Sequence, residues 1–560
     1  MTDITHDVFN QSTPYVDVNL FRANRPLQDA LRLHAPGLDL APLDALGAEA
    51  GTADMQRHAR LANHHKPVLH QHDVRGRRID EVEFHPSYHV LLGAALRHRL
   101  HGSPWGADAT PGAHLARAAG FLTFTELEPS VLCPVSMTYA VTPALRANGA
   151  LQRTFGPLLA SPAYDARFAP GASKSAVTMG MGMTEKQGGS DVRANTTRAT
   201  FEGDDAWGRR FALTGHKWFM SAPMSDAFLV VAQTGAGPSC FFLPRFRPDG
   251  SLNAVRIQRL KDKLGNQANA SSEVEFHGAS GWLVGDEGRG LPQILAMGAL
   301  TRLDCALGTA GLMRQALSLA LHHADERMAF GRHLSDHPLM KNVLADLALE
   351  SEAATALAMR VARAVDRTEQ PAGANRDTLE AEALLRRVLT PVAKFWVCKR
   401  GSHFAQEAME CLGGNGYVEA AGEGTMARIY REMPLNSIWE GAGNIMALDL
   451  QRALRSGPLA DVLAAELQPA RGLHAAFDRA ADRVLAAVTG QPGADVAEAQ
   501  GRRLARDLAL VVQAALLAQS APPSVFEAFC ASRLDDASDA FGLLPAGVDL
   551  DALVARARPQ

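Results

Sequence analysis

The hydrophobic period of this chain changes twice, and these changes constrain the fold more than any other feature. Before about residue 180 and after about residue 290, apolar residues recur every three or four positions, as in HVLLGAALRHRL, which predicts helices. Between these regions lie short segments rich in β-branched and aromatic residues, separated by turn residues. The segments FALTGHKWFMS, AFLVVAQ, SCFFLPRF, AVRIQRL and SSEVEFHG predict an antiparallel β-domain.

This order of helices, strands and helices indicates separately built layers and an α+β multidomain fold. We predict an N-terminal α-helical domain at 1–180, a middle β-domain at 181–288 and a C-terminal α-helical bundle at 289–455. The bundle should begin with one long helix or two stacked helices. An Ala-, Leu- and Arg-rich segment at 456–560 predicts an extra helical appendage.

Composition excludes several classes of protein. With 47% hydrophobic and 21% charged residues the chain is globular, and its net charge of −4 argues against a surface built for nucleic acid. The first residues lack the apolar core of a signal peptide, and the longest apolar run, LALVVQAALLAQ, is shorter than the ~20 residues of a membrane span. Six scattered cysteines have no metal-ligand spacing, so we expect no metal and a cytoplasmic, reducing environment.

The segment NSIWEGAGNIMALD, residues 436–449, contains a candidate catalytic carboxylate, Glu440. Glu440 follows a Trp and precedes a Gly-Ala-Gly turn, with no Lys or Arg in the stretch. A carboxylate beside a bulky aromatic is a candidate for a raised pKa, which would suit a general base. The alternative interpretation is an exposed Glu that interacts with the start of a helix.

Two further motifs could contact a flat or phosphorylated ligand. In MGMTEKQGGSDVRANTT, Thr184 and Ser190 offer hydroxyls beside backbone N–H groups of a Gly-rich turn; an ordinary turn is the alternative. HKWFMSAP places aromatic residues at a strand end, where they could flank a ring or fill a core. MECLGGNGYVEA is not a dinucleotide fingerprint, because no strand precedes it.

Taken together, the motifs resemble the acyl-CoA dehydrogenase superfamily in order and spacing. The residues that carry this resemblance are MTEKQGGSD, GHKWFMS, KLGNQANASSEVEFHG, GDEGRG, RMAFG, ECLGGNGY and YREMPLNSIWEG. The segments GMTEKQGGSDV, NTTRA, RLKDKLGN and GNIMALD, with VFNQSTP and FHPSYH near the start, are similar to AidB-type alkylation-response flavoproteins.

The resemblance implies the acyl-CoA dehydrogenase fold, with a middle antiparallel β-barrel, in a homotetramer that binds FAD and an acyl-CoA. It implies a set of FAD contacts from several motifs, with Arg327 and Phe330 reaching the FAD of a neighbouring subunit. The implied contacts are Met183, Thr184, Gly189, Ser190, Phe219, Met220, Ser221, Arg327, Phe330, Gly413, Gly414, Ala442 and Asn444.

The resemblance also implies which residues act in catalysis and which line the substrate pocket. Glu440 matches the catalytic base, which removes the α proton of a thioester, and its backbone N–H would polarise the thioester oxygen. Trp439 and Arg302 would line the substrate pocket. Some members carry the base one residue before an Arg on an earlier helix, but this chain has Thr301 there. A nitroalkane-oxidising member would be expected to have Asp at position 440.

The chain departs from the family pattern at Pro338 and Glu410, where members have Gln, and at Ala442, where they have Thr. The alternative function is therefore that of AidB-type proteins linked to double-stranded DNA and protection from alkylation, with weak dehydrogenase activity. Arg502, Arg503 and Arg506 could contact phosphates, although a solvated, charged helix face is the favoured interpretation.

Overall fold

The computed structural model describes residues 5–370, 373–419, 425–455, 459–490, 494–535 and 539–559. They form two compact units. We name them the helical unit (Met1–Gln56, His114–Leu127 and Cys305–Gln560) and the barrel unit (Arg57–Ala113 and Glu128–Asp304). Residues 1, 456 and 560, which bound predicted domains, lie outside the described residues, and the four predicted domains remain a prediction.

Helices make up most of the described chain. Their bounds are α1 Leu20–Ala23, α2 Arg25–His34, α3 Ala41–Ala50, α4 Ala53–His64, α5 Pro86–Arg97, α6 Ala113–Leu127, α7 Leu132–Leu145, α8 Gly149–Leu159, α9 Gly290–Glu326, α10 Pro338–Glu369, α11 Arg376–Cys411, α12 Gly414–Tyr417, α13 Thr425–Glu432, α14 Gly443–Ala453, α15 Leu459–Leu467, α16 Ala475–Thr489, α17 Ala494–Ser520, α18 Pro523–Phe529 and α19 Leu550–Ala557.

The strands lie mainly in the barrel unit. They are β1 Val68–His72, β2 Arg78–Glu83, β3 Met179–Gly182, β4 Arg198–Asp205, β5 Gly208–Ser221, β6 Ala227–Thr234, β7 Gly237–Pro244, β8 Val255–Leu260, β9 Ser271–Val284, β10 Met328–Ala329 and β11 Arg332–His333.

The large sheet is closed. Its seven strands follow the order β3-β6-β4-β5-β9-β7, with β8 on β9, and β6 also pairs with β7. Strands β4, β5, β9, β7 and β6 therefore form a ring without open edges. Most pairings are antiparallel, whereas β6 pairs in parallel with β3 and β4. The predicted middle β-barrel is confirmed.

Sequence patterns located β5 to β9 but missed β3 and β4. Strand β3 has the sequence MGMG, and β4, RATFEGDD, is largely exposed and charged, so neither carries the β-branched runs that indicate strands. In contrast, β6 has six consecutive buried residues, because both of its faces are covered.

The region 1–180, predicted as an α-helical domain, also contains a β-hairpin that the prediction did not include. Strands β1 and β2 pair antiparallel. Their turn is fixed by the Asp73 carboxylate, which accepts from the backbone N–H groups of Arg75 and Arg77, and by Gly76 at φ +78°. β1 alternates exposed and partly buried residues, and its HQH sequence gives no strong strand signal.

The helical unit is built around long helices. α9 is one continuous helix of 37 residues, which is one of the two predicted alternatives, and its residues from Cys305 onward belong to the helical unit. α10 packs against α2, α11, α17 and α19. Predicted helices near 338–368, 377–410 and 443–455 correspond to α10, α11 and α14.

Buried ion pairs join residues of the predicted appendage to α10. Arg360 contacts Glu466 at 2.6 Å, Arg533 contacts Glu350 at 3.2 Å, and Arg556 contacts Glu352 at 2.7 Å. Removing one partner of a buried ion pair costs about 3–5 kcal/mol. Contacts between residues far apart in the chain thus hold this region onto the bundle.

Two other features bear on the sequence predictions. All six cysteine side chains are buried. Within the described ranges, no helix has both the length and the apolar character needed to cross a bilayer.

Candidate active site

Glu440 lies in a tight turn of the helical unit, between a 3₁₀ helix at Met433–Ser437 and α14. Its backbone is in the left-handed region at φ +58°, and Gly441 follows at φ +104°. A left-handed residue other than Gly costs of order 1–3 kcal/mol and is frequent at functional sites. The side chain is partly buried, so the exposed helix-start interpretation does not describe it.

Polar contacts fix the residues that precede Glu440. The Trp439 indole Nε1 donates to Asn436 Oδ1 at 3.0 Å, and Asn436 Nδ2 donates to Thr309 Oγ1 at 3.1 Å. Asn436 is buried. This chain of contacts connects the turn to α9 and orients the indole predicted to line the substrate pocket.

A lysine that the sequence analysis did not select also contacts this turn. Lys394 of α11 donates from Nζ to the Trp439 carbonyl at 2.7 Å and to the Gly441 carbonyl. Its side chain is buried. A lysine within the apolar run TPVAKFWVC is the signal that could have identified it, because a buried ammonium needs acceptors.

Thr301, at the alternative base position, is buried, and its hydroxyl donates to the Gly298 carbonyl of its own helix at 3.2 Å. A threonine hydroxyl is not a carboxylate base. Arg302, the second predicted substrate-pocket residue, is partly buried on α9 in the barrel unit. Trp439 belongs to the helical unit.

The predicted cofactor loop of the barrel unit follows β3. Met183 and Thr184 are partly buried, and Ser190 is exposed. The Thr184 carbonyl accepts from the Trp218 N–H at 2.8 Å. Gly189 packs so closely on Thr184 that a Cβ there would lie 2.6 Å from the Thr184 hydroxyl, so the glycine is required by space.

A buried ion pair anchors this loop. Lys217 Nζ contacts Glu185 Oε1 at 2.8 Å and donates to the Val231 carbonyl at 2.8 Å, and both charged side chains are fully buried. Glu185 also accepts from the N–H groups of Thr196 and Thr197 at 2.7 and 3.2 Å. Burial alone would raise the pKa of Glu185, but the Lys217 ammonium and these donors hold that pKa at about 2. Sequence analysis missed this pair.

At the end of β5 the side chains alternate between more exposed and buried positions. Phe219 is half-exposed, Met220 is buried and Ser221 is partly buried. The Ser221 hydroxyl lies 3.0 Å from that of Ser271. Phe219 and Ser221 therefore share the face that a ligand could contact, whereas the Met220 side chain packs in the core.

The hairpin β10–β11 presents Phe330. Its turn residues, Phe330 and Gly331, both have positive φ, +52° and +81°, as in a type I′ turn. The Phe330 side chain is 98% exposed. Arg327 is held beside this hairpin because its guanidinium donates to the Asn10 carbonyl.

The remaining predicted cofactor residues lie at helix starts. Gly413, at φ +57°, precedes α12 and is exposed, as is Gly414; a Cβ at either position would meet nothing within 4 Å. Ala442 is the N-cap of α14 and gives it no side-chain hydrogen bond. Asn444 is exposed and accepts from Arg502 Nη1 at 3.4 Å.

Within the described residues, no group of three or more His, Cys, Asp and Glu side chains could hold a metal ion. The predicted cofactor and substrate positions offer hydroxyls, backbone N–H groups, the Asn444 amide and the Glu440 carboxylate. They also offer two arginines, Arg302 and Arg327, and three aromatic side chains, Phe219, Phe330 and Trp439.

Comparison with known proteins identifies the family. Three family models match: the AidB N-terminal domain at residues 10–166, the acyl-CoA dehydrogenase middle domain at 180–279 and the acyl-CoA dehydrogenase C-terminal domain at 288–455. The protein AidB of Escherichia coli (strain K12) is 46% identical over 95% of each chain. This chain belongs to the AidB-type acyl-CoA dehydrogenase family.

Solved structures agree with this family. The crystal structure of Caenorhabditis elegans ACDH-11 in complex with C11-CoA has a TM-score of 0.83 and 25% identity, and it covers 95% of this chain and 94% of that chain. An acyl-CoA dehydrogenase of Bacillus anthracis complexed with FAD has a TM-score of 0.64 over 84% of this chain and 82% of its own, at 17% identity, and shows the fold alone.

FAD is the cofactor of the acyl-CoA dehydrogenase family, and the residues present fit it. The exposed Phe219 ring can lie on a flat ring system, while the hydroxyls of Thr184 and Ser221 can bond its polar edge. In the helical unit, taken by itself, the open backbone at Gly413 and Gly414 leaves room for a phosphate close to the chain.

The buried pair beneath the cofactor loop gives a prediction on stability and pH. Glu185→Gln should lower the free energy of unfolding by about 3–5 kcal/mol at neutral pH, because Lys217 loses its buried counter-charge. The folded pKa of Glu185, about 2, lies below the ordinary value of 4.5. The stability that its charge contributes is therefore present above pH 4.5 and is lost as pH falls toward 2.

Urea unfolding from pH 7 down to pH 3 would measure the difference between the wild type and Glu185→Gln, which should shrink below pH 4.5. Asp262→Asn is the control, since it breaks the exposed contact with Lys66 at 2.9 Å and should cost no more than about 1 kcal/mol. A difference that is constant with pH would contradict the assignment.

Proposed function

We propose that this protein is an FAD-dependent acyl-CoA dehydrogenase in which Glu440 is the general base. The observation that carries the proposal is the conformation of Glu440: a partly buried carboxylate in a strained left-handed turn, held by contacts on both sides. The bound C11-CoA of the Caenorhabditis elegans relative supports acyl-CoA thioesters as the substrate class.

In this proposal, each residue of the site has a separate role in catalysis. The Glu440 carboxylate would remove the α proton, and the Glu440 N–H would donate to the thioester oxygen, where negative charge develops. Trp439, whose indole is fixed by Asn436, would exclude water from the carboxylate. Bound FAD would supply the acceptor for the hydride that leaves the β-carbon.

We propose FAD contacts within each unit, taken separately. Met183, Thr184, Gly189 and Ser190 would hold FAD from the loop after β3, and Phe219 and Ser221 from β5. For Met220, whose side chain is buried, we propose a backbone contact. The other proposed contacts are Arg327, Phe330, Gly413, Gly414, Ala442 and Asn444.

The quaternary structure and location belong to the same proposal. An aromatic side chain that is 98% exposed on a strained turn supports a protein contact at Phe330, and we propose that a second subunit of a homotetramer covers it. The six buried cysteines suit a reducing compartment, and we propose a cytoplasmic location.

Glu440→Gln tests the chemistry. Anaerobic mixing of the flavin-loaded protein with a panel from butyryl-CoA to palmitoyl-CoA should bleach the visible flavin absorbance. The variant should bleach at least about 10²-fold more slowly, because general base catalysis is typically worth 10²–10⁴-fold. The control is Glu380→Gln, an exposed glutamate that contacts Arg376, which should react at the wild-type rate. Wild-type protein that no thioester bleaches would refute the dehydrogenase assignment.

Phe330→Ser tests the subunit contact. If a second subunit buries this ring, the variant should elute from size-exclusion chromatography with light-scattering detection at a lower mass than the wild type and should retain less FAD. Val74→Ser removes another side chain that is 98% exposed and should change neither quantity. An unchanged mass and FAD content in Phe330→Ser would exclude this contact.

DNA binding is the alternative function, and the described contacts weaken its support. Arg502, Arg503 and Arg506 are exposed on α17. However, Arg506 is paired with Asp507 at 2.7 Å, and Arg502 donates to Asn444 and lies 5.6 Å from the centre of the Phe395 ring. Within the described part of the chain, Arg503 has neither an ion pair nor a ring contact.

A salt-dependent electrophoretic shift of a DNA duplex tests the alternative. If these arginines bind phosphates, the triple variant Arg502→Ala, Arg503→Ala, Arg506→Ala should abolish the shift at low salt and reduce the salt slope. Arg376→Ala, which removes an exposed arginine on α11, should leave the shift unchanged. Failure of wild-type protein to retard DNA at low salt would exclude this function.

A further inference from the structure

Lys394 occupies an unusual position for a lysine. Its side chain is 1% exposed, and its ammonium donates to two backbone carbonyls, Trp439 O at 2.7 Å and Gly441 O. These carbonyls lie on the two sides of Glu440. Lys394 itself is on α11, more than forty residues earlier in the chain, so the contact depends on how the helical unit folds.

The two contacts fix the orientation of the peptide groups around Glu440. In a trans peptide the C=O and the N–H point in opposite directions. The Trp439 carbonyl points toward Lys394, so the Glu440 N–H points away from it; the Ala442 N–H is oriented in the same way by the Gly441 carbonyl. One ammonium therefore sets the direction of the Glu440 N–H bond and holds the peptide groups before and after the Glu440–Gly441 pair.

The local sequence alone would not hold this conformation. Glu440 is not a residue that favours positive φ, and Gly441 is free to adopt many conformations. Space around Gly441 is restricted, since a Cβ there would lie 2.7 Å from Met446 Cε. The contact from a different helix selects one turn from those available to the Trp-Glu-Gly sequence.

A lysine suits this position better than other residues. Its ammonium carries three donors on a compact head, which matches two carbonyls that converge on one point. Arginine would require a larger planar space, and methionine would fill the space of the stem without donating a hydrogen bond. The functions of stem and head can therefore be separated by substitution.

We propose that Lys394 is a positioning residue for the base: its ammonium holds the turn so that the carboxylate and N–H of Glu440 reach the α-carbon and the oxygen of the thioester. This inference rests on the proposed function of Glu440. A geometric error of about 1 Å at a reacting group can reduce the rate by ~10²-fold, so the loss of this contact should affect the chemical step more than thioester binding.

The test uses the flavin-loaded, full-length protein with Lys394→Met. Two quantities are measured with the acyl-CoA that bleaches the wild type fastest: the limiting rate of bleaching at saturation and the thioester dissociation constant. We expect the limiting rate to fall by ~10²-fold while the dissociation constant changes by less than about threefold. Lys341→Met, which removes a lysine that contacts Asp551 on α19, is the matched control and should retain both values.

A second readout isolates proton removal. The 3-thia analogue of the same acyl-CoA has sulfur at the β position and cannot release a hydride, but its α-hydrogens exchange with D₂O when a base removes them. Deuterium incorporation, followed by mass spectrometry, should be slow in Lys394→Met and slower still in Glu440→Gln. A protein stabilised by Lys394 without any positioning role would show a lower Tm and a wild-type exchange rate, which would overturn the proposal.

The outcomes separate this inference from the proposed function. If Glu440→Gln exchanges and bleaches like the wild type, the assignment of the base is wrong. If Glu440→Gln is inactive and Lys394→Met is normal, only the positioning role fails. If Lys394→Met does not fold, Lys394→Gln replaces it, because its side chain is one atom shorter and its amide falls short of the two carbonyls. Exchange slowed at least tenfold with normal flavin content supports the proposal, and wild-type exchange refutes it.

Discussion

Buried ammonium groups bound to backbone carbonyls fix one candidate functional loop in each of the two units. Lys217 contacts Glu185 and the Val231 carbonyl in the barrel unit, and Lys394 contacts the carbonyls on both sides of Glu440 in the helical unit. A buried charge without acceptors would destabilise the fold. Each lysine therefore favours the loop conformation in which its ammonium keeps its acceptors.

Two of the positions where function is proposed have a strained backbone. Glu440 and Phe330 both have positive φ, although neither Glu nor Phe favours that conformation. The strain is offset by different means at the two positions. Contacts from Lys394 and, through Trp439, from Asn436 surround Glu440, whereas Phe330 is fixed by the pairing of β10 with β11 and leaves its ring in solvent. The first arrangement suits chemistry within a pocket, and the second suits contact with another protein surface.

The sequence predicted strands and helices correctly where the physical signal lies in neighbouring residues. Period and turn residues located β5 to β9 and the long helices, because buried strands and amphipathic helices carry those signals in every few residues. They failed at β1 and β2 and at β3 and β4, whose residues are short, polar or glycine-rich and depend on their partners for pairing. Likewise, Glu440 was selected because of its neighbours in sequence, but Lys394 and the Lys217–Glu185 pair were missed because their partners are distant in the chain.

The sequence by itself determined the α+β architecture and the family and selected Glu440 as the candidate base, since these follow from residue order and local pattern. Only the tertiary structure decided which carbonyls Lys394 would meet, that Arg502 would lie on Asn444, and that the Met220 side chain would face the core. The physical reason is that a hydrogen bond depends on position and direction in space. Residues 394 and 440 acquire both only when α11 and the turn before α14 are packed together.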